Sequence, residues 1–420
     1  MATKGTNRLR SVTHLGQYVD QFYEELRNAP KNGKPVAWCD GFPLPFPILR
    51  AMDIAYLYGD AYAASTSARH QEKRLQQIAD DAGYLIDVCS YTRTTMGCAI
   101  MTDEERATAH PQHQMPKPDF IVVADPGCSM LVNWADSERR HFKTPMFVIQ
   151  IPHLWHGEAD EQAAIADTAR QLSELITFME DLLHRKLDWD RLREIMVGVK
   201  ESITFRNEAL AMSKYIPAPA TFFDLASALG GVNYLLGRKE CVEIYRDMRD
   251  EMADRVATKT GAVLDEKYRL YWDGIMCWPK LGHLAQKFGN WGACVVAGRY
   301  THFGFYNKPE LIDPAKPLES LAANAVALHG NQNLDWLIEN ISQLCSDFAI
   351  DGLVMHAHRT CRPLAGPQLE VMDGVSRRLG IPGVFIEADI ADDTFYSDAQ
   401  VNTRVQGLLE SIDAKKRRRI

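Results

Sequence analysis

No stretch of this 420-residue chain approaches the roughly 18 consecutive apolar residues that a membrane-spanning helix needs. The polar opening, Met1 to Arg10, has no apolar centre of the kind a signal peptide carries. A cytoplasmic protein with no membrane partner is therefore expected. Several motifs are also missing. There is no G-x-x-x-x-G-K-[ST] phosphate loop and no G-x-G-x-x-G after a strand pattern. There is no H-E-x-x-H and no G-x-S-x-G elbow. The chain is not expected to hydrolyse ATP or hold a dinucleotide by itself, so any redox chemistry would draw electrons from another protein. Excess positive charge is lacking too. With 47 Lys and Arg against 55 Asp and Glu the net charge is −8, which argues against general nucleic-acid binding. In a reducing compartment the nine cysteines are expected as thiols, not disulfides.

What is present is the composition of a soluble globular protein, 46% hydrophobic and 24% charged, long enough for two or three domains. Ser11 to Leu26 has the spacing of an amphipathic helix. Val36 to Cys39 reads as a short strand that leads into the proline-rich Phe42 to Pro47, and a helix is expected around Ile48 to Ala55. Ala64 to Ala82 reads as helix, Asp119 to Ala124 and Met146 to Ile151 as strands, with a helix near Ser129 to Arg140 between them. Two long helical patterns follow, Glu158 to Arg185 and Trp189 to Ser213, with Asp188 as the N-cap of the second. Strands are then expected at Tyr268 to Trp272, Ala293 to Ala297, Gly352 to Met355 and Val384 to Ile386, alternating with helices. No internal repeat is visible. Such alternation predicts an α/β fold, two α/β domains with mainly parallel sheets and flanking helices. The expected divisions are an N-terminal helical arm (1–30), a first α/β domain (31–160), a helical segment (161–262) and a second α/β domain (263–420) ending in the basic tail Lys415 to Arg419. The tail reads as solvated, with docking to an acidic partner as the alternative.

Cys89, Cys128 and Cys361 each stand where a segment of regular structure is expected to end. Cys128 closes Phe120-Ile121-Val122-Val123-Ala124-Asp125-Pro126-Gly127-Cys128, and Cys361 follows Gly352-Leu353-Val354-Met355-His356-Ala357-His358-Arg359-Thr360. In open α/β sheets chemistry collects just beyond the carboxyl ends of strands. Three thiolates there would make an iron–sulfur site with one iron corner free of protein ligand. The spacing matches no compact signature such as C-x₂-C-x₂-C, and His356-x-His358-x-x-Cys361 also reads as a zinc set. Cys39, Cys241, Cys277, Cys294 and Cys345 read as buried small hydrophobes.

From about residue 30 to residue 412 the chain resembles the iron–sulfur subunits of the 2-hydroxyacyl-CoA dehydratase and benzoyl-CoA reductase family. The segments that carry the resemblance are Cys89-Ser90-Tyr91 before Thr95-Met96-Gly97, then Pro118-Asp119 leading to Gly127-Cys128, then Gln150-Ile151-Pro152. Glu266 to Leu270, Asp351-Gly352-Leu353 ahead of Cys361, Ile386 to Asp392 and Asn402-Thr403-Arg404-Val405 complete the order. The resemblance implies that Cys89, Cys128 and Cys361 carry a 4Fe–4S cluster between the two α/β domains. It also implies a homologous second cluster-bearing subunit, an ATP-hydrolysing activator, ferredoxin as upstream electron donor, and an acyl-CoA substrate. Glu266 to Leu270 and Phe395-Tyr396-Ser397 look like the larger cluster-bearing subunit of ATP-dependent benzoyl-CoA reductases. Where the family often has Pro-x-Glu-Leu after the first strand, this chain has Pro45-Phe46-Pro47-Ile48. The absent carboxylate tells against a 2-hydroxyacyl-CoA dehydratase acting through a ketyl radical, which is the alternative. An electron-relay subunit and a double-cubane-cluster reductase, with Cys98 as an extra ligand, are further alternatives.

Reduction of an aromatic ring by single electrons requires a proton donor, and histidine is the natural general acid near neutral pH. His356 and His358 are nearest in sequence to Cys361; His153 and His156 follow another strand end. Ser90, Trp155 and Glu387 are candidate substrate contacts. Asp389 is expected to touch substrate or to orient a neighbouring group. Trp155, Trp134 and Phe46 are candidates for the wall of an aromatic slot.

Overall fold

The structure is a computed structural model that describes residues 6–156 and 158–418. Eight strands form two four-stranded sheets. The first contains β1 (Val36–Gly41), β2 (Ala55–Tyr58), β3 (Phe120–Asp125) and β4 (Met146–Gln150) in the order β2-β1-β3-β4. The second contains β5 (Tyr268–Asp273), β6 (Ala293–Gly298), β7 (Gly352–His358) and β8 (Gly383–Ala388) in the order β6-β5-β7-β8. Every pairing is parallel, with Ala37 opposite Phe120 and Leu270 opposite Gly352. The expectation of two mainly parallel sheets flanked by helices holds.

The central strands β1 and β3 are almost wholly buried, as strands covered by helices on both faces must be; β3 is correspondingly apolar and β-branched, and β1 is apolar up to Asp40. The two sheets repeat one topology although no sequence repeat is visible. In each, the chain leaves the first strand to one side and returns to the other, so the order reverses between β1 and β3 and between β5 and β7. Such a reversal opens a crevice beyond the carboxyl ends of the strands.

Local readings differ in places. The expected helix end around Ala55 is β2; the helix there covers only Phe46–Ala51. The single helix expected over Ala64 to Ala82 is two, Gly59–Ala68 and Glu72–Asp81, broken at His70, whose φ is +57°. Cys89 follows no strand; it immediately precedes the helix Ser90–Ile100. Asp188 does cap its helix, accepting from the Arg191 amide at 2.9 Å. The basic tail is helical through Arg418, and Lys416 pairs with Asp351 of the same chain at 2.9 Å; Arg419 lies outside the described residues. Among the described residues no helix is long and apolar enough to cross a membrane.

The halves are stitched together around the crevice. The Leu154 amide donates to the Asn331 carbonyl at 2.7 Å, and Ser67 Oγ and Gln76 Nε2 both donate to the Ala391 carbonyl at 3.2 Å. Arg93, 2% exposed, reaches Asp392 at 2.9 Å and Asp80 at 2.7 Å.

Candidate functional site

A cavity of about 570 Å³ lies between the two sheets, and all eight strands supply a residue to it from their carboxyl ends. The first sheet gives Phe42 after β1, Tyr58 at the end of β2, Cys128 after β3 and His153 after β4. The second gives Ile275 after β5, Arg299 after β6, Cys361 after β7 and Ile390 after β8. Cys89 comes from the start of the helix Ser90–Ile100. A cleft of the same volume at the amino ends of β1 and β2 is lined by Glu25, Lys34, Arg50 and Arg238 and has no cysteine, so volume alone does not select the site.

Cysteine exposure divides the nine into two groups. Cys89, Cys128 and Cys361 are partly exposed and all line the cavity; the other six are buried. Cys98 is among the six. Its thiol donates to the His113 carbonyl, away from the cavity. Each of the three cavity cysteines is the residue just before a helix, Ser90–Ile100, Ser129–Phe142 and Arg362–Ala365 respectively.

The chain holds these positions by side-chain bonds to the backbone. Asp125 Oδ1 accepts from the amides of Gly127 at 2.9 Å and Cys128 at 2.7 Å, which folds the β3 loop back on itself. Asp389, fully buried just beyond β8, clamps the other two loops together. Its Oδ2 accepts from the Thr360 amide at 2.9 Å and the Thr360 hydroxyl at 2.6 Å, and its Oδ1 accepts from the Ser90 hydroxyl. Ser90 follows Cys89 and Thr360 precedes Cys361, so one carboxylate sets two of the three cysteine loops. Asp389 thus orients loops, and Ser90 is buried in that network with its hydroxyl turned to Asp389.

Burial pushes the Cys89 thiol up to about 12 and the Cys128 thiol up to about 11. Cys361 is raised well above the usual thiol value, by burial first and then by Cys89 and Cys128. Helix-start amides act in the opposite direction, those of Thr92 and Tyr91 on Cys89 and those of Met130 and Leu131 on Cys128. Three mutually repelling sulfurs that share one cavity and face backbone donors suit a cationic, thiolate-binding group. Among the described residues no three His, Cys, Asp or Glu side chains converge on a single metal ion. A cubane takes one thiolate per iron corner, so its ligands need not converge in that way, and the donor set fits it.

The histidines fall into two places. His153 lines the cavity with its ring 4.3 Å from that of Trp155, which is 72% exposed at the mouth. His356 and His358 do not line it. They stand side by side on β7, rings 4.4 Å apart, and grip the loop after β5: His356 Nδ1 donates to the Ile275 carbonyl at 2.7 Å and His358 Nε2 accepts from the Ile275 amide at 2.8 Å. Burial lowers His356 to about 4 and lowers His358 well below its ordinary value, so both are neutral near pH 7. The zinc set His356-x-His358-x-x-Cys361 is therefore not assembled. His156 does not line the cavity; its amide donates to Asp160 at 3.0 Å. Glu387 points away, exposed and paired with Arg404 at 3.1 Å. Trp134 lines the cavity, whereas Phe46 is buried beneath Tyr56, its ring 4.3 Å away. Pro47 is likewise buried outside the cavity.

Three lining residues escaped the sequence reading. Arg299, 1% exposed, is the only Lys or Arg among the described residues of the lining; it pairs with Asp273 at 2.8 Å and leaves Nε without a partner. His329 is lowered to about 3 by burial and Arg299, and its Nδ1 is unpartnered. Asp60, two residues beyond β2, is raised to about 7 by burial while accepting from the Gly41 amide at 2.9 Å. For Arg299 and Asp60 the position just beyond a strand end was the available signal; His329, in a short turn after the helix Pro317–Val326, had none.

A parallel α/β pair that brings three thiols together at its shared crevice defines a class of protein, and comparison with known proteins agrees with it. A model of the family "2-hydroxyglutaryl-CoA dehydratase, D-component" matches residues 44–412, and the chain belongs to that family. It is 26% identical over 405 residues to the (R)-2-hydroxyisocaproyl-CoA dehydratase alpha subunit of Clostridioides difficile, covering 96% of each chain. It is 28% identical over 393 residues to the (R)-phenyllactyl-CoA dehydratase alpha subunit of Clostridium sporogenes, covering 92% of each. It is 27% identical over 384 residues to a subunit of the benzoyl-CoA reductase of Thauera aromatica, covering 88% of this chain and 87% of that one.

Proposed function

We propose that this chain is the iron–sulfur subunit of an ATP-dependent benzoyl-CoA reductase, with Cys89, Cys128 and Cys361 as ligands of a 4Fe–4S cluster. The observation that carries the reading is the joining of these three cysteines with an aromatic wall in one cavity: Phe42, Tyr58, Tyr91, Trp134, Tyr300 and Phe305 all line it. Planar rings pack face and edge against such walls. A cluster held there would supply single electrons at low potential. The chain's own residues do the rest. Arg299 offers its free Nε–H to the thioester carbonyl, where added charge gathers. The rings exclude water from the acyl group. His153 and Trp155 close the mouth over it, His153 as a candidate acid. His356 and His358 act behind the wall, by fixing Ile275.

The partners that fit this reading are a homologous second cluster-bearing subunit, an ATP-hydrolysing activator and a ferredoxin that feeds it. A second reading, loss of water from an aryl 2-hydroxyacyl-CoA, is favoured by the dehydratase alpha subunits among the relatives and by Asp60, a carboxyl inside the cavity. The test is anaerobic assay of the chain with its partner subunit, activator and ATP. The reductase reading expects about four iron atoms per chain and conversion of benzoyl-CoA to a cyclic dienoyl-CoA. Dehydration of phenyllactyl-CoA with benzoyl-CoA untouched would establish the second reading. One zinc per chain would overturn both.

A further inference from the structure

In and behind the cavity wall lie three carboxyl groups with no basic partner among the described residues. Asp40, 2% exposed, is the penultimate residue of β1; Glu138, 0% exposed, comes from the helix Ser129–Phe142; Asp60 lines the cavity itself. Asp40 and Glu138 are close enough for each to influence the other's proton affinity. Asp40 Oδ2 and Glu138 Oε2 have no hydrogen-bond partner, while Glu138 Oε1 accepts from Trp134 Nε1 at 2.8 Å. Two neighbouring buried carboxyl groups with open oxygens can share a hydrogen bond once one of them carries a proton. Gly59 brings the third group in: a Cβ there would lie 2.2 Å from Asp40 Oδ1 and 2.9 Å from the Trp134 ring, so only glycine lets the chain pass Asp40 and enter Asp60. Asp60 in turn holds the amide of Gly41, the residue after Asp40, at 2.9 Å.

We propose that Asp60 delivers protons to the acyl group in the cavity and that the Asp40–Glu138 pair directly behind it holds the proton that reloads it. The inference rests on the reading of the cavity as the place where an acyl-CoA is reduced. Reduction of an aromatic ring to a diene consumes two electrons and two protons. The electrons come singly from a low-potential iron–sulfur reductant. After the first, the Asp60 O–H bond breaks, a C–H bond forms at a ring carbon, and the O–H electron pair stays on the carboxylate. The proton shared by Asp40 and Glu138 then moves to Asp60, which protonates the ring again after the second electron. Water restores both protons once product leaves. One proton on Asp60 and one on the pair match that demand in a space the aromatic wall keeps dry.

The electrostatics agree. Burial raises Asp60 to about 7 and Glu138 to about 8, and Asp40 is raised well above its usual value by burial and Glu138. The other titratable groups that face the three are Tyr58, Tyr91, Tyr300, Cys39 and Cys98, neutral phenols and thiols near pH 7 with their own values raised by burial, and Cys128, which the proposed function gives to the cluster.

The test uses the full complex. Asp60→Asn should lower kcat on benzoyl-CoA by about 10²-fold or more, the usual general-acid contribution, with KM and the cluster absorption unchanged and a larger solvent deuterium effect. Asp60→Glu should restore part of the rate. Glu138→Gln should lower kcat and leave KM unchanged. A second readout needs no turnover. Infrared spectra of the resting full chain should contain a deuterium-sensitive neutral-carboxyl band that Glu138→Gln diminishes. Wild-type rates in Asp60→Asn, or no neutral-carboxyl band in the wild type, would overturn the proposal. Should the complex dehydrate phenyllactyl-CoA instead, the reductase reading fails separately, and Asp60→Asn is read on that reaction by the same criterion.

Discussion

Replacing Asp389 tests whether two cysteine loops depend on one buried carboxylate. Asp389 is 0% exposed and accepts from Thr360 N at 2.9 Å, Thr360 Oγ1 at 2.6 Å, Ala391 N at 3.2 Å, Asp392 N at 3.3 Å and the Ser90 hydroxyl. Asp389→Asn keeps the volume and turns one oxygen into a donor. The hydroxyls of Ser90 and Thr360 can rotate away, but backbone amides cannot. Whichever way the new amide sits, either Thr360 N or the pair Ala391 N and Asp392 N faces an N–H. A buried donor left unmet costs about 1–3 kcal/mol, and a hydrogen bond to a charged group is worth about 1.5–3 kcal/mol. The expected loss is therefore about 3 kcal/mol for Asn and about 4 kcal/mol for Ala, where every donor is orphaned. Urea unfolding of the metal-free chain reads this as a lower midpoint at unchanged slope. Iron retained after reconstitution reads the displacement of Cys89 and Cys361. A loss below about 0.5 kcal/mol, the range of an ordinary surface change, together with full iron retention would refute the clamp.

Two further outcomes follow from the same geometry. Cys89→Ala, Cys128→Ala and Cys361→Ala should each abolish iron binding and its visible absorption, while Cys241→Ala and Cys345→Ala, in buried positions away from the cavity, should not; full iron in the Cys361 variant would remove it from the ligand set. Stability of the metal-free chain should depend on Glu138, whose native value is raised from its ordinary 4.5 to about 8 by burial. Between those values the native state keeps a proton that the unfolded chain has released, so stability falls as pH rises through the window and is level outside it. Glu138→Gln should flatten that part of the curve in urea titrations at several pH values, and an unchanged slope would contradict a buried proton there.

The strands were legible where the chemistry of burial is unambiguous. Phe120 to Asp125 and Gly352 to His358 are β-branched or apolar runs long enough to cross a covered sheet. β2 was not, because Ala55-Tyr56-Leu57-Tyr58 is only four residues and continues the apolar spacing of the helix before it. That one omission hid Asp60: with a strand end at Tyr58, the next carboxylate would have stood at a site position by the same reasoning that selected Cys128 and Cys361. The histidines next to Cys361 stand out by closeness in sequence. Alternation along a strand instead sends His356 and His358 to one face, under the loop after β5, so closeness to a cysteine does not mean closeness to the cavity. Pro47 reads as a missing site carboxylate, yet the residue after β1 that reaches the cavity is Phe42.

The placement of the third cysteine departs from the symmetry of the two sheets. Cys128 and Cys361 follow β3 and β7, strands that hold the same place in their respective orders, so the repeated topology alone brings one thiol from each half to the crevice. Cys89 has no such counterpart. It opens a helix whose first turns are tied to the second half, through Ser90 to Asp389 and through Arg93 to Asp392. Its position therefore depends on the docking of the two halves, not on either sheet alone. A buried ion pair of this kind adds little to stability when intact and costs much when one partner is removed, so it acts chiefly to select one arrangement of the halves. The same contacts that close the crevice also bring the three thiols into one cavity. Binding of a metal group there would accordingly stabilise the docked form by mass action, and a chain unable to dock should be unable to hold the group even with all three cysteines intact.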